Sequence, residues 1–179
     1  MGQRDMQMTR TILSFTLALG LAVATTPAKT EKPLAEKVRH ELVMLPYYNV
    51  FDNLAFRVDG AAVTLLGQVT DPVLATSAVR AVERISGVAA VKNEMEVLPL
   101  SPLDNRIRLA MYRAIYSYPA YSRLRTMAVP PVHIIVKYGQ VTLEGVAPTK
   151  TDAQVAYLRA MSVPGVFSVT NNLAVESAR

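Results

Sequence analysis

Apolar and polar residues follow the same order twice between residues 34 and 176. In each half, a stretch with helical spacing comes first, a β-hairpin pattern follows, and a second helix and a final strand close the unit. Two blocks also match in sequence, Val63–Val69 with Val141–Ala147 and Gly87–Val97 with Gly165–Val175, both at an offset of 78 residues. Because two separated blocks share one offset, the pattern indicates a duplicated structural unit.

The predicted helices carry apolar residues on one face. The first helix of each copy carries Leu34, Val38, Leu42 and Leu45, or Leu103, Ile107, Met111 and Ala114, and stops near Pro46 or Pro119. The second carries Ala75, Val79, Val82 and Ile85, or Ala153, Tyr157, Ala160 and Val163. Gly87 and Gly165 follow the second helices, where glycine commonly ends a helix.

Each hairpin turns at a short polar or glycine-containing pair, Asp59-Gly60 in the first copy and Tyr138-Gly139 in the second. The pattern predicts an α+β fold of two tandem αββαβ modules, each a small three-stranded mixed sheet covered by two helices. The predicted modules are residues 34–98 and 103–176, with a proline-containing linker at 99–102. Gly67 and Gly145 are interpreted as structural glycines, where a strand bends or another backbone approaches closely.

The N-terminus has the organisation of a secretion signal. Arg4 and Arg10 precede an uncharged stretch, Thr11–Ala24, that is shorter than the ~20 residues needed to span a bilayer. Ala22-Val-Ala24 supplies the small residues of a cleavage site. We therefore predict a signal peptide at 1–24 with cleavage after Ala24, a polar tether at 25–33 and a periplasmic location; the alternative is an uncleaved N-terminal anchor.

The repeated unit resembles the BON domain of bacterial periplasmic and outer-membrane proteins. The resembling features are the strand that ends in glycine at Gly67 and Gly145, the alanine-rich helix after it, and the closing Gly-Val-x-x-Val-x-Asn at 87–93 and 165–171. The second copy departs from the pattern through extra residues at 117–132. The resemblance implies attachment to phospholipid membranes, protection against osmotic shock, or folding assistance to envelope proteins, and it brings no catalytic residues.

The chain offers little for catalysis. It contains no cysteine and only two histidines, His40 and His133, neither of which lies in a recognisable ligand or nucleophile pattern. It also lacks a nucleophile elbow, a phosphate-binding glycine loop and a zinc-protease motif. The sequence therefore predicts no enzyme activity, no metal and no cofactor.

Charge is distributed unequally between the copies. Residues 25–99 carry eight Lys/Arg against nine Asp/Glu, whereas residues 100–179 carry nine against four. On a helical projection of the first helix of copy two, an aromatic stripe edged by arginine faces away from the core. The candidate lipid- or partner-binding residues are Arg108, Leu109, Tyr112, Arg113 and Tyr116. The alternative is that the stripe packs against the first copy or against the 117–132 insertion.

The sequence predicts a non-catalytic exported envelope protein that binds phospholipid membrane or envelope components, in osmotic or envelope stress protection. The competing prediction is a periplasmic chaperone, or an adaptor that docks through an exposed strand edge. Basic residues interleaved with tyrosines would also suit single-stranded nucleic acid, but export argues against that partner. The oligomeric state stays open.

Overall fold

The structure, a computed structural model, describes residues 33–176. The predicted signal peptide, its cleavage after Ala24 and nearly all of the predicted tether lie outside the described residues.

The first copy consists of two helices and a mixed sheet. Its elements are α1 (Leu34–Val43), β1 (Asn53–Asp59), β2 (Ala62–Val69), α2 (Pro72–Glu83), β3 (Ala90–Asn93) and β4 (Glu96–Val97). The central strand β2 pairs antiparallel with β1 and parallel with both β3 and β4. Asp71 caps α2 by accepting the Val73 N–H, and Pro72 occupies the first helical turn.

The second copy repeats this order with an addition after its first helix. Its elements are α3 (Pro102–Tyr116), α4 (Pro119–Ser122), a 3₁₀ turn (Leu124–Thr126), β5 (Val132–Lys137), β6 (Gln140–Ala147), α5 (Lys150–Met161), β7 (Ser168–Asn171) and β8 (Ala174–Val175). The register is also repeated, since Phe56 pairs with Leu65 in one hairpin and Ile134 pairs with Leu143 in the other. The predicted α+β fold with two αββαβ repeats is confirmed.

The third strand of each sheet is interrupted, so that it counts as two short strands. In the first copy the Asn93 side chain accepts the Met95 N–H, and in the second the Asn171 side chain accepts the Leu173 N–H. An asparagine that bonds the backbone two residues ahead forms a local turn, which breaks the ladder at that point. The asparagine that ends the closing motif of each repeat therefore interrupts the third strand.

Gly67 and Gly145 lie where the outer strand of each hairpin passes very close to the central strand. Both have a positive φ, and a Cβ on Gly67 would stand 2.0 Å from the Asn53 carbonyl oxygen. On Gly145 it would stand 2.0 Å from the Pro131 carbonyl oxygen. No other residue fits these positions without movement of the backbone.

Both copies fall within one compact unit, and the segment between α1 and β1 joins them. Val50 belongs to the apolar core of the second copy, and its carbonyl accepts the Ile134 N–H at 2.8 Å. Tyr48 stacks on His133 with ring centroids 5.5 Å apart. As a result β5 is buried along almost its whole length, whereas the corresponding strand β1 is only half-buried.

Candidate functional site

Tyr116, predicted to face outward from α3, is buried, with 1% of its surface exposed. Its hydroxyl donates to the Val132 carbonyl at 2.7 Å, and the ring of Tyr121 lies against it at 6.1 Å between centroids. The residues after α3 fold back as α4 and bring Tyr121 over the helix. Burial raises the pKa of Tyr116 above its ordinary value. The predicted outward position of Tyr116 is therefore wrong, and its ring packs against the 117–132 insertion, as the alternative interpretation of the stripe predicted.

Arg108 is also buried, contrary to its predicted place beside an exposed stripe. Its guanidinium donates to the Val136 carbonyl at 2.7 Å and to the Asn105 side chain. Burial lowers the pKa of Arg108, while the nearby carboxylates of Asp104 and Asp52 oppose that shift. Arg108 thus ties α3 to the outer edge of β5.

Three of the five predicted site residues reach the surface. Leu109 is 51% exposed and Arg113 is exposed, whereas Tyr112 is half-buried with its ring against Phe51 of the first copy. Arg106 and Leu109 lie three residues apart, and Arg113 four further on, so they share one face of α3. We call Arg106, Leu109 and Arg113 the outward stripe of α3.

A second exposed surface lies at the end of the second sheet. We define the copy-two tip as Leu103, Tyr138 and Phe167, of which Tyr138 is 70% and Phe167 83% exposed. The Phe167 N–H donates to the Gly139 carbonyl at 2.8 Å. A Cβ on Gly165 would meet Leu103 at 3.9 Å, so the start of α3 lies beside the same loops. Leu103, predicted to be a core residue, is thus half exposed.

A buried carboxylate holds the hairpin turn of the tip in place. Asp104, fully buried in the first turn of α3, accepts the Tyr138 N–H at 3.0 Å and the Gly139 N–H at 2.8 Å. Tyr138 has a positive φ of 53°, which is uncommon for a residue with a side chain. The contacts to Asp104 stabilise this conformation and present the Tyr138 ring to solvent.

The first copy lacks these exposed rings. At the offset of 78 residues, Gly60 stands where copy two has Tyr138, and Ala89 where it has Phe167. Asp59 corresponds to Lys137, whose ammonium lies 5.8 Å from the centre of the Tyr138 ring. The tip therefore occurs in the second copy and not in the first. Aligning the two repeats residue by residue could have identified it, because the alignment shows aromatic residues in copy two where copy one has glycine and alanine.

Residues 33–176 contain no group of three or more histidine or carboxylate side chains close enough to hold a metal ion. His133 is buried at the junction of the copies, and burial lowers its pKa; the backbone of Asp52 and Asn49 partly opposes the shift. Within the described residues, no helix has the length and apolar character required to cross a bilayer.

Comparison with known proteins identifies the family. A model of the BON domain matches residues 30–99 and 123–177, which together make up most of the chain. The chain belongs to the BON domain family. BON domains are non-catalytic binding modules associated with phospholipid membranes and with envelope or secretion-related proteins. The gap between the two matched segments contains α3 and α4, and α4 belongs to the extra residues of the second copy.

Two solved structures of CdsD, a structural protein of the type III secretion system of Chlamydia trachomatis, are similar to this BON-domain chain. One, of the C-terminal domain, is 13% identical over 81% of this chain and 98% of its own, with a TM-score of 0.29. The other is 10% identical over 80% and 93%, with a TM-score of 0.32. At these scores the likeness carries no argument about function. No curated protein matches the chain.

Proposed function

We propose that this protein is a non-catalytic envelope protein that binds phospholipid membranes through its second BON domain. The observation that carries the proposal is the copy-two tip, which exposes two aromatic rings and a leucine on two adjoining loops and the start of α3. Tyrosine and other aromatic side chains favour the interfacial layer of a bilayer, where the ring contacts acyl chains and polar atoms meet water and headgroups.

Charge supports the same orientation. Arg106 and Arg113 are exposed on α3, and α3 begins at the tip, so the guanidinium groups lie along a surface continuous with Leu103. Arginine forms paired hydrogen bonds with phosphate oxygens, and basic residues near an anionic bilayer contribute ~1 kcal/mol each. The tip would enter the interfacial layer while the outward stripe of α3 meets the headgroups.

The tip is also rigid enough for such a role. Asp104 and Arg108 hold the turn and the end of β5, so the backbone that carries Tyr138 does not have to be ordered when the protein binds. A surface already ordered in the free protein loses less conformational entropy on binding than a mobile one. The two buried residues of α3 therefore position the surface instead of contacting lipid.

Co-sedimentation of the full-length protein with vesicles tests the proposal. We expect binding to vesicles that contain phosphatidylglycerol, weaker binding to phosphatidylcholine alone, and loss of binding in Tyr138→Ala/Phe167→Ala. The matched control is Leu158→Ala/Met161→Ala, which removes exposed apolar residues from α5 and should bind normally. Equal binding by the two double variants, or no binding by the wild type, would contradict the proposal.

The arginines are tested separately. Arg106→Gln/Arg113→Gln should weaken binding to phosphatidylglycerol vesicles at low salt and lose its effect at about 0.5 M salt, where exposed charges are screened. If binding of the wild type is independent of salt, the outward stripe makes no electrostatic contribution.

A further inference from the structure

The two sheets differ at one edge, and the difference concerns a surface of the first copy that includes no residue of the copy-two tip or of the outward stripe of α3. In copy two the outer edge of β5 is covered by the segment Tyr48–Asp52, with the Val50 carbonyl bonded to the Ile134 N–H. In copy one the corresponding edge belongs to β1. The amide that corresponds to Ile134 is that of Phe56, since both hairpins share one register.

The backbone of β1 is open at this edge. Ile134 points its N–H away from β6, so the repeated register points the Phe56 N–H away from β2. Within residues 33–176 no hydrogen bond reaches the Phe56 N–H. Tyr48 and Leu54 lie at the same edge, where both line the surface beside α1. An unpaired edge amide beside an apolar surface is the arrangement to which an extended peptide adds as a further strand.

A groove of about 360 Å³ runs along this edge between α1 and β1. Its lining includes Arg39, Leu42 and Val43 from α1, and Leu54 and Phe56 from β1. Val38 and Leu42 stand where copy two has Ile107 and Met111, so the groove occupies the place that Val50 and Phe51 fill in copy two. The Val50–Phe51 segment, which fills this place in copy two, therefore indicates what kind of segment the groove of copy one could bind.

The same segment also indicates the chemistry of the occupant. It has an aliphatic residue, Val50, followed by an aromatic residue, Phe51, and then Asp52. The Asp52 carboxylate is buried and accepts hydrogen bonds from Thr70 and Asn49, and its charge also favours the charged form of Arg108. Arg39, which lines the groove, is the residue of copy one that corresponds to Arg108. Arg39 is exposed, so a carboxylate at the same position of a bound peptide would find an unburied partner.

We propose that the groove between α1 and β1 binds an extended segment of another protein, with an aliphatic–aromatic–acidic sequence, as an added strand on β1. The segment places its aliphatic residue against Leu42, its carboxylate near Arg39 and a backbone carbonyl on the Phe56 N–H. The first BON domain would thus hold a protein partner while the second contacts lipid.

The probe is an acetylated and amidated peptide with the sequence of residues 47–53, Tyr-Tyr-Asn-Val-Phe-Asp-Asn, titrated into the full-length protein. Binding is followed by fluorescence anisotropy of a labelled peptide and by backbone amide NMR signals. We expect saturable binding, a shifted and exchange-protected Phe56 amide, and no binding of a peptide with serine in place of valine and phenylalanine.

Val43→Asp places a charge in the groove and should weaken the peptide affinity roughly tenfold or more. The control is Val73→Asp, an exposed valine of α2 outside the groove, which should bind as the wild type does. Val43 is 48% and Val73 60% exposed, so neither variant should prevent folding.

The proposal would be overturned by no saturable binding or by equal binding of the peptide to Val43→Asp and Val73→Asp. Shifts confined to β5 and α3 would overturn it too, because they would mean that the peptide displaces the chain's own segment. Protection of the Phe56 amide without peptide, increasing with protein concentration, would also overturn it, because the occupant would then be a second copy. None of these results depends on lipid.

Discussion

The environment of Gly67 shows how a single residue restricts the sequence of each repeat. Its φ of +104° is rarely adopted by residues with a side chain, and the space for a Cβ is taken by the backbone of Asn53. Gly60, in the hairpin turn of the same sheet, also has a positive φ, but nothing lies within 4 Å of its Cβ position. Substitutions at the two positions therefore distinguish the cost of the backbone conformation, present at both, from the cost of a steric clash, present only at Gly67.

We expect Gly67→Ala to lower the free energy of unfolding by about 3 kcal/mol or more, because both strain and a backbone collision are introduced. Gly60→Ala should cost about 1 kcal/mol from strain alone. Urea unfolding followed by circular dichroism measures both. Equal losses would show that the β1 backbone moves away at little cost and that the close approach is unimportant.

At the scale of the element, Asp104 connects α3 to the β5–β6 hairpin. Asp104→Ala should lower the free energy of unfolding by about 3 kcal/mol, since two turn amides lose a charged acceptor in a buried site. The control is Asp71→Ala, which removes an exposed helix cap and should cost about 1 kcal/mol. A loss for Asp104→Ala no larger than that of the control would mean that water replaces the carboxylate.

The order and type of the elements could be predicted from the sequence because the duplication supplies two independent readings of one pattern. The burial of α3 could not. A helical projection assumes one buried face, whereas α3 contacts its own sheet, the returning α4 and the Val50–Phe51 segment of the other copy. These neighbours bury Tyr116 and Arg108 and leave Leu103 half exposed.

A helical projection also explains why only some residues of the candidate surface could be predicted from the sequence. Leu109 and Arg113 are exposed as the periodicity of α3 indicates. The tip depends on residues far apart in sequence, Leu103, Tyr138 and Phe167, which only the packing of the hairpin turn and the loop before β7 brings together. The local periodicity of a sequence does not indicate which distant loops will lie next to each other.

At the scale of the whole molecule, the junction of the copies contains a buried histidine, His133. His133 stacks on Tyr48, whose pKa burial raises to about 12, and the carboxylate of Asp52 lies nearby. Burial lowers the pKa of His133 in the folded protein, so between that value and the ordinary pKa of about 6.5 the unfolded chain binds more protons. Stability contributed by neutral His133 is complete above that range and decreases as the pH falls through it.

We therefore expect the free energy of unfolding to fall between pH 7.5 and pH 5, and His133→Gln to show a smaller fall than the wild type. His40→Gln is the matched control, because His40 is exposed on α1 and lies outside the junction of the copies. Parallel curves for wild type and His133→Gln would assign the acid sensitivity to carboxylates instead.

The same junction determines whether the two domains unfold together. Val50, 7% exposed, lies in the apolar core of the second copy and Phe51 packs against that core, although both residues precede β1 of the first copy. An ion pair between Lys137 and Glu96 crosses the junction as well. The ion pair is exposed and contributes ~1 kcal/mol or less. The buried valine, the Val50–Ile134 hydrogen bond and the stacked rings therefore provide most of the coupling.

We expect native-state hydrogen exchange to give the same opening free energy for the central strands β2 and β6 in the wild type, as in one cooperative unit. Val50→Asp should separate the two values by about 2 kcal/mol or more, because an unpaired charge enters the core of copy two while the core of copy one is untouched. Val43→Asp, at an exposed position, should leave them equal. If β2 and β6 already differ in the wild type, the two BON domains are independent folding units, and the segment between α1 and β1 is a contact between them without a role in cooperativity.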